Sequence, residues 1–348
     1  MANKVLIQKV GSVTSRLGNI SNVETLPGTH SASIGDLVVA RALSESATYG
    51  NLELPSGRLA KINRGDVLLG ALGKRRALKG FVGNVPETVT PGDRLHLLNM
   101  GGVMGICEGH HSSFSDAIEL EVIGLATDAD GNILNIGNGA LERSETLAAS
   151  APIVMIAGSC MNSGKTVAAT EIIKQATAAG LRVAALKISG VACLRDTLNM
   201  KDHGAIATAS FLDCGLPSTV DSDDLASVAK AILNHLNSLS PQLIVVELGD
   251  GIVGGYSVEK VLSDADIMGA VSSFVFCASD YVGVIGGAAI LKALGITIDV
   301  VAGSVTDSQM GEDYVRDKLG LAGGNARRDG KRLFELVVPR KDGVQVAA

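Results

Sequence analysis

The stretch that most constrains this chain is Gly158-Ser159-Cys160-Met161-Asn162-Ser163-Gly164-Lys165-Thr166, set between the aliphatic run 153–157 and the helix-patterned run 167–179. Small residues let backbone N–H groups turn inward around phosphate oxygens. A lysine then meets the β/γ charge, and the hydroxyl that follows suits Mg²⁺. A strand before and a helix after is the context such a loop needs, because the first turn of a helix offers free amides and a positive dipole end. The first glycine stands one residue earlier than in the commonest spacing, which leaves Ser159 at the usual first position. Lys165 is expected to lie exposed in the loop and to contribute charge, not packing; Thr166 is expected to ligate the metal.

The residues after Ala151 continue in the same grammar. Strands are predicted at 153–157, 182–186, 243–247, 273–277 and 298–302, and helices at 167–179, 226–239 and 286–294. Such alternation means a parallel sheet with helices on both faces. Residues 1–145 read differently. Gly35-Asp36, Gly65-Asp66 and Gly92-Asp93 each precede an aliphatic run, about 30 residues apart, which suggests turns leading into the strands of a small barrel. Asp128-Ala129-Asp130-Gly131-Asn132 reads as a hairpin turn between 119–126 and 133–136, since it lacks the closing glutamate of a calcium loop. Residues 138–150 read as a linker. The expected fold class is α/β: a P-loop NTPase domain with a parallel sheet at 148–348, preceded by a smaller β-rich, barrel-like domain at 1–145 that binds substrate or a partner.

Composition narrows the function. A length of 348 residues suffices for two cores, and with 42 glycines and no tryptophan those cores must be built from small aliphatic side chains. A net charge of −6 argues against general affinity for nucleic acid, and Lys74-Arg75-Arg76 with Lys79 reads as a solvated turn. The N-terminal Met1-Ala2-Asn3-Lys4-Val5-Leu6-Ile7 is too short an apolar stretch for a signal peptide. No run approaches the roughly 20 apolar residues of a membrane helix. Five unpatterned cysteines (107, 160, 193, 214 and 277) read as free thiols in a reducing cytoplasm. Cys107-Glu108-Gly109-His110-His111 has metal-ligand residue types but no second pair at suitable spacing.

The pattern Gly-x-x-x-x-x-Gly-Lys-Thr resembles the loop of dethiobiotin synthetase and its relatives, including the cobyrinic acid amidotransferase synthetase domains and the wider class of signal-recognition, MinD and BioD-like NTPases. Three further segments are similar to that family over residues 151–310. Val183-Ala184-Ala185-Leu186-Lys187-Ile188-Ser189-Gly190 resembles its second strand with the terminal lysine. Lys201-Asp202-His203-Gly204-Ala205 resembles its metal-reaching aspartate segment, and Val245-Val246-Glu247-Leu248-Gly249-Asp250-Gly251 the segment whose glutamate completes the metal site. The family's Thr-Asp-Thr inside the loop is replaced by Ser159-Cys160-Met161, its proline after the strand-two lysine is absent, and dethiobiotin synthetase has no counterpart of the N-terminal half.

The resemblance implies Mg²⁺ at Thr166, Asp202 and Glu247, with Asp250 able to stand in for Glu247. It implies catalytic roles for Lys165 and for Lys187. A lysine at the end of a buried strand needs an anionic partner, which is either a substrate carboxylate or phosphate or a nearby aspartate; Arg195 and Asp196 could share that work. Residues 300–307 stand where related NTPases read the base, and they lack the Asn-Lys-x-Asp that reads guanine, so ATP is expected. The leading expectation is an ATP- and Mg²⁺-dependent ligase or kinase that activates a small anionic metabolite by phosphoryl transfer. The alternatives are an NTP-hydrolysing assembly or cofactor-insertion factor acting on a protein, and a nucleotide-dependent binding module. A homodimer is left open as its assembly.

Overall fold

Three times in the N-terminal part a Gly-Asp pair turns the chain, each time in the same way. Gly35, Gly65 and Gly92 all take positive φ, at 90°, 94° and 94°, where a Cβ would be strained. The aspartate carboxyl then reaches back to the backbone N–H three residues earlier: Asp36 to Ser33 (2.8 Å), Asp66 to Asn63 (2.6 Å) and Asp93 to Thr90 (2.7 Å). Each aspartate N–H donates to the carbonyl of that same residue, so the turn is closed from both sides. The computed structural model that shows this describes residues 3–338 apart from 19 and 21. Met1 and Ala2 of the N-terminal stretch, and the last ten residues of the span 148–348, lie outside the described residues.

Each turn launches a strand: β1 (Leu37–Ala42), β2 (Val67–Leu72) and β3 (Arg94–Leu97). With β4 (Val103–His110) and β5 (Glu119–Thr127) they form a closed ring. β1 pairs with β5 and β2, β2 runs parallel to β4, and β3 pairs with both β4 and β5. Closure hides the edges that an open sheet would present. Val38, Ala40, Leu68, Leu72, Leu95, Leu97, Met104, Leu120 and Val122 fill one buried cluster, as alternation along the strands requires. The Asp128 turn forms as read, its carboxyl accepting from the N–H groups of Asp130 and Asn132. The returning residues 133–136 make only isolated bridges. Their backbone groups are divided between Ala126 and the Gly35–Leu37 turn, so no ladder can form along one partner.

In the C-terminal part, β6 (Ile153–Gly158), β7 (Val183–Lys187), β8 (Ala207–Ser210), β9 (Leu243–Glu247), β10 (Val271–Cys277), β11 (Val300–Ala302) and β12 (Ala322–Gly323) make one sheet. Their order is β8-β7-β9-β6-β10-β11-β12, and every pairing is parallel. Helices α1 (Lys165–Ala178), α2 (Arg195–Asp202), α3 (Leu225–Asn237), α4 (Tyr281–Ala293), α5 (Gln309–Leu319) and α6 (Gly330–Val337) accompany it. Val154, Ile156, Val245 and Val275 pack with Ile172 and Ile173 of α1 and Leu333 of α6, while Phe276 of β10 lies against Gly287 of α4. α4 begins at Tyr281, five residues before the expected start, because Asp280 caps it by accepting from Gly283 N–H (2.7 Å).

The described residues fall into two compact units. One runs to Glu142 and includes Val191–Arg195 and Phe211–Val220; the other holds the remainder from Arg143. No helix among the described residues is long and apolar enough to cross a membrane.

Candidate phosphate-binding site

The loop after β6 turns into α1 at Gly164, whose φ of 103° and whose closeness to Gly303 (a Cβ would stand 2.8 Å from its Cα) leave no room for a side chain. Parallel register aligns the strand ends around it: Ile156 lies beside Glu247, Gly158 beside Cys277, and Glu247 beside Lys187. Ligands of open α/β sheets bind at this carboxyl edge. There Gly158 ends β6, Ser159, Cys160, Met161, Asn162, Ser163 and Gly164 turn the chain, and Lys165 and Thr166 open α1. Ser159 N–H donates to Cys277 O (2.9 Å), and Ser163 is fully buried.

Lys165 is not exposed as the sequence suggests. It is the first residue of α1, 5 % exposed, and its Nζ donates to Cys160 O (2.8 Å) across the loop. The loop thus wraps its own ammonium, which a backbone carbonyl holds. Burial lowers the Lys165 pKa, opposed chiefly by Glu247 and then by Cys277 and Asp250. Burial at the end of β10 pushes the Cys277 thiol up to about 12.

Thr166 Oγ1 donates to Glu247 Oε1 (2.8 Å). Glu247 is 2 % exposed, and its second oxygen, Oε2, is buried with no hydrogen-bond partner. Burial raises the Glu247 pKa, and Lys187 is the strongest influence in the other direction. Lys187 itself pairs with Asp196 in the first turn of α2. The glycine-rich segment after β9 closes the site from a third side. Ile252 N–H donates to Gly158 O (2.9 Å), and a Cβ on Gly251 would stand 2.6 Å from Ser159 O. Asp250, at φ 63°, is carried on this segment.

Asp202 is a correction. It is the exposed last residue of α2, and the adjoining Gly204 packs on Thr177 near the far end of α1. Ile206 N–H then bonds Val183 O at the start of β7, so this corner belongs to the amino edge of the sheet. A 14-residue helix separates it from the loop, about 21 Å. The aspartate that α2 brings to the strand ends is Asp196, from the opposite end of the helix.

An Mg²⁺ ion fits the remaining oxygens. Thr166 and the unpartnered Glu247 Oε2 are hard donors at one spot, and Mg²⁺ takes few protein ligands alongside phosphates and water. Among the described residues no group of three His, Cys, Asp or Glu could hold a metal by itself, which includes the neighbourhood of Cys107 and His110.

Beyond β11, Gly303-Ser304-Val305-Thr306-Asp307 abuts the loop at Ser163. Asp307 Oδ1 accepts from Asn325 Nδ2 (2.9 Å), and Arg327 stands 3.5 Å from Oδ2. Asn325, 2 % exposed, escapes the sequence reading; the Gly323-Gly324 pair that ends β12 and leads into it is the signal that could have pointed there. A separate cleft of 410 Å³, lined by both apolar and polar side chains, among them Leu262, Asp264, Met268, Phe274, Ile296 and Asp299, opens at the amino end of β10, away from this chemistry.

No protein-family model matches the chain, and no curated protein matches it. Similarities to solved structures are distant. Chloroplast FtsY from Physcomitrella patens is 14 % identical, over 59 % of this chain and 71 % of that one, with a TM-score of 0.38. A DUF1611 family protein from Anabaena variabilis ATCC 29413 is 12 % identical over 57 % and 63 %, at 0.41. The signal recognition particle 54 kDa protein from Aeropyrum pernix K1, in complex with GDP, is 17 % identical over 57 % and 49 %, at 0.36. The site stands on its own geometry: strand, glycine-bounded loop and helix at the carboxyl edge of a parallel sheet make the second unit a P-loop NTPase fold.

Proposed function

We propose that this protein binds ATP with Mg²⁺ and transfers its terminal phosphoryl group to a small anionic metabolite, as a ligase or kinase does. The observation that carries the reading is the buried, unpartnered Glu247 Oε2 beside Thr166 and Lys165. A carboxylate oxygen left without a partner in a dry site is costly, and a divalent cation shared with nucleotide phosphates would satisfy it.

In this reading Lys165 exchanges Cys160 O for the β/γ-phosphate oxygens and neutralises charge as it develops between them. Thr166 and Glu247 hold the Mg²⁺, which supplies charge neutralisation on the same phosphates. Lys187, one strand over from Glu247, takes the anionic group of the acceptor in place of Asp196. The segment 249–255 covers the loop and keeps water from the transferring group. ATP is preferred because the segment after β11 lacks Asn-Lys-x-Asp, and the one carboxylate there, Asp307, already accepts from Asn325.

The test is ADP release measured with MgATP and a panel of small carboxylates and phosphates. Stimulation by one of them, lost in Lys187→Ala with ATP affinity retained, is the expected result. Stimulation only by a protein would replace this reading with that of an assembly factor.

A further inference from the structure

Arg75 does not lie in the solvated turn that its basic neighbours suggest. It stands in a two-residue strand, Arg75–Arg76, paired with Phe81–Asn84 across the turn 77–80. It is 4 % exposed, and a Cβ on Gly80 would stand 2.9 Å from its Nη2, so that glycine makes room for the guanidinium. Nη1 donates to Leu98 O and Nη2 to the Tyr49 hydroxyl (2.8 Å), while Nε is buried with no hydrogen-bond partner. Both acceptors are neutral, and among the described residues no carboxylate pairs with Arg75. A buried cation without a counter-charge is expensive, and an unpaired N–H beside it adds to the cost.

The orientation of the group shows which partner would offset that cost. With Nη1 fixed on Leu98 O, the Nε and Nη2 N–H bonds lie side by side on another edge, the fork that receives both oxygens of a carboxylate. One prong is empty and the other rests on a hydroxyl that a carboxylate can displace. Tyr49, half-exposed, holds that hydroxyl from a backbone at φ 53°, a conformation that a side chain of its size rarely takes. Its ring lies under the guanidinium, 4.8 Å from Cζ, and meets Phe81 at 5.5 Å and Phe114 at 5.9 Å edge to face. These three are every Phe and Tyr in residues 1–142 of a chain that is 3 % aromatic, so the rings of this unit gather around its one buried guanidinium instead of filling the barrel. We propose that Arg75, Tyr49 and Phe114 form a binding site for a small carboxylate that carries an aromatic ring. The carboxylate takes the Nε–Nη2 fork in place of the Tyr49 hydroxyl, and the ring packs against the half-exposed Tyr49 and Phe114. Asp116, bonded to His110 beside Phe81, adds negative charge at the rim, which favours a singly charged ligand. All these residues belong to the first unit.

The test is calorimetric titration of the full-length protein with benzoate, benzamide and acetate. Benzoate should bind saturably with a Kd of about 1 mM or tighter, the scale open to a ligand of so few atoms. Benzamide keeps the ring without the charge, and acetate the charge without the ring; each should bind at least about tenfold more weakly. Tyr49→Phe keeps the ring but removes the hydroxyl that competes for Nη2, so benzoate should bind about fivefold tighter, a gain that a merely structural tyrosine would not give. Phe114→Ala should weaken benzoate about tenfold and leave acetate unchanged. Arg75→Lys should abolish benzoate binding, since an ammonium has no fork; should that variant fail to fold, Tyr49→Phe and Phe114→Ala carry the test. Benzamide or acetate binding as tightly as benzoate, benzoate affinity unchanged in folded Tyr49→Phe and Phe114→Ala, or no saturable benzoate binding overturns the proposal. None of these results depends on ATP turnover, so failure of the proposed function would leave this measurement decisive.

Discussion

Glu247 carries the clearest consequence of burial. Its folded-state pKa is raised above the usual 4.5, so between 4.5 and that raised value the unfolded chain releases a proton that the folded one keeps. Stability from this group is therefore complete below 4.5 and is lost as pH rises through the folded pKa. Glu247→Gln keeps the shape and an acceptor for Thr166 but has no charge to bury. The variant should melt higher than wild type without ligand, by on the order of 1 kcal/mol near neutrality. That advantage should grow upward from pH 4.5 and vanish below it, which thermal melts across pH would show. Mg²⁺-dependent turnover should fall more than nucleotide binding, since the loop amides are untouched. If activity falls only for Asp250→Asn, the metal ligand is Asp250. Sequence and resemblance pointed to Glu247 but also to Asp202. Spacing cannot tell which end of an eight-residue helix meets the sheet's carboxyl edge, and here that end carries Asp196.

At the scale of elements, the loop and the buried strands were legible because each is a contiguous run: 153–157 and 243–247 are wholly apolar up to their last residues. β8 and α2 were not. Ala207-Thr208-Ala209-Ser210 is a short edge strand with one β-branched residue, and Arg195–Asp202 is polar along most of its length. Barrel closure was also hidden, since β3 is four residues long yet pairs with two strands. Two predictions belong here. Gly164→Ala forces a side chain into φ 103° against Gly303, and should cost about 1–3 kcal/mol in a melt together with most nucleotide affinity. Calorimetric titration in Mg²⁺ should give tighter binding of ATP than of GTP; the reverse would mean that Asp307 leaves Asn325 to read guanine.

The molecule as a whole resists the cut its sequence invites. A boundary near residue 148 suggests that 148–348 would stand alone, but Phe211–Val220 is packed in the first unit, with Phe211, Leu212, Cys214 and Val220 at most 5 % exposed. Leaving large apolar side chains uncovered costs about 1.5–3 kcal/mol each, against a domain's usual total of about 5–15 kcal/mol. Residues 148–348 should therefore melt well below the full chain and bind a hydrophobic dye; a fragment as stable as the full-length protein would refute this division.

The central claim is that the loop around Lys165 is a working phosphate site, and steady-state ADP release from MgATP by wild type and Lys165→Ala tests it most directly. Lys165 is a buried cation whose pKa burial lowers, so its removal should leave the melting temperature equal or higher. Turnover should drop by at least about a hundredfold, the scale of losing one preorganised charge at a developing anion. A folded Lys165→Ala protein that releases ADP at the wild-type rate would contradict the account.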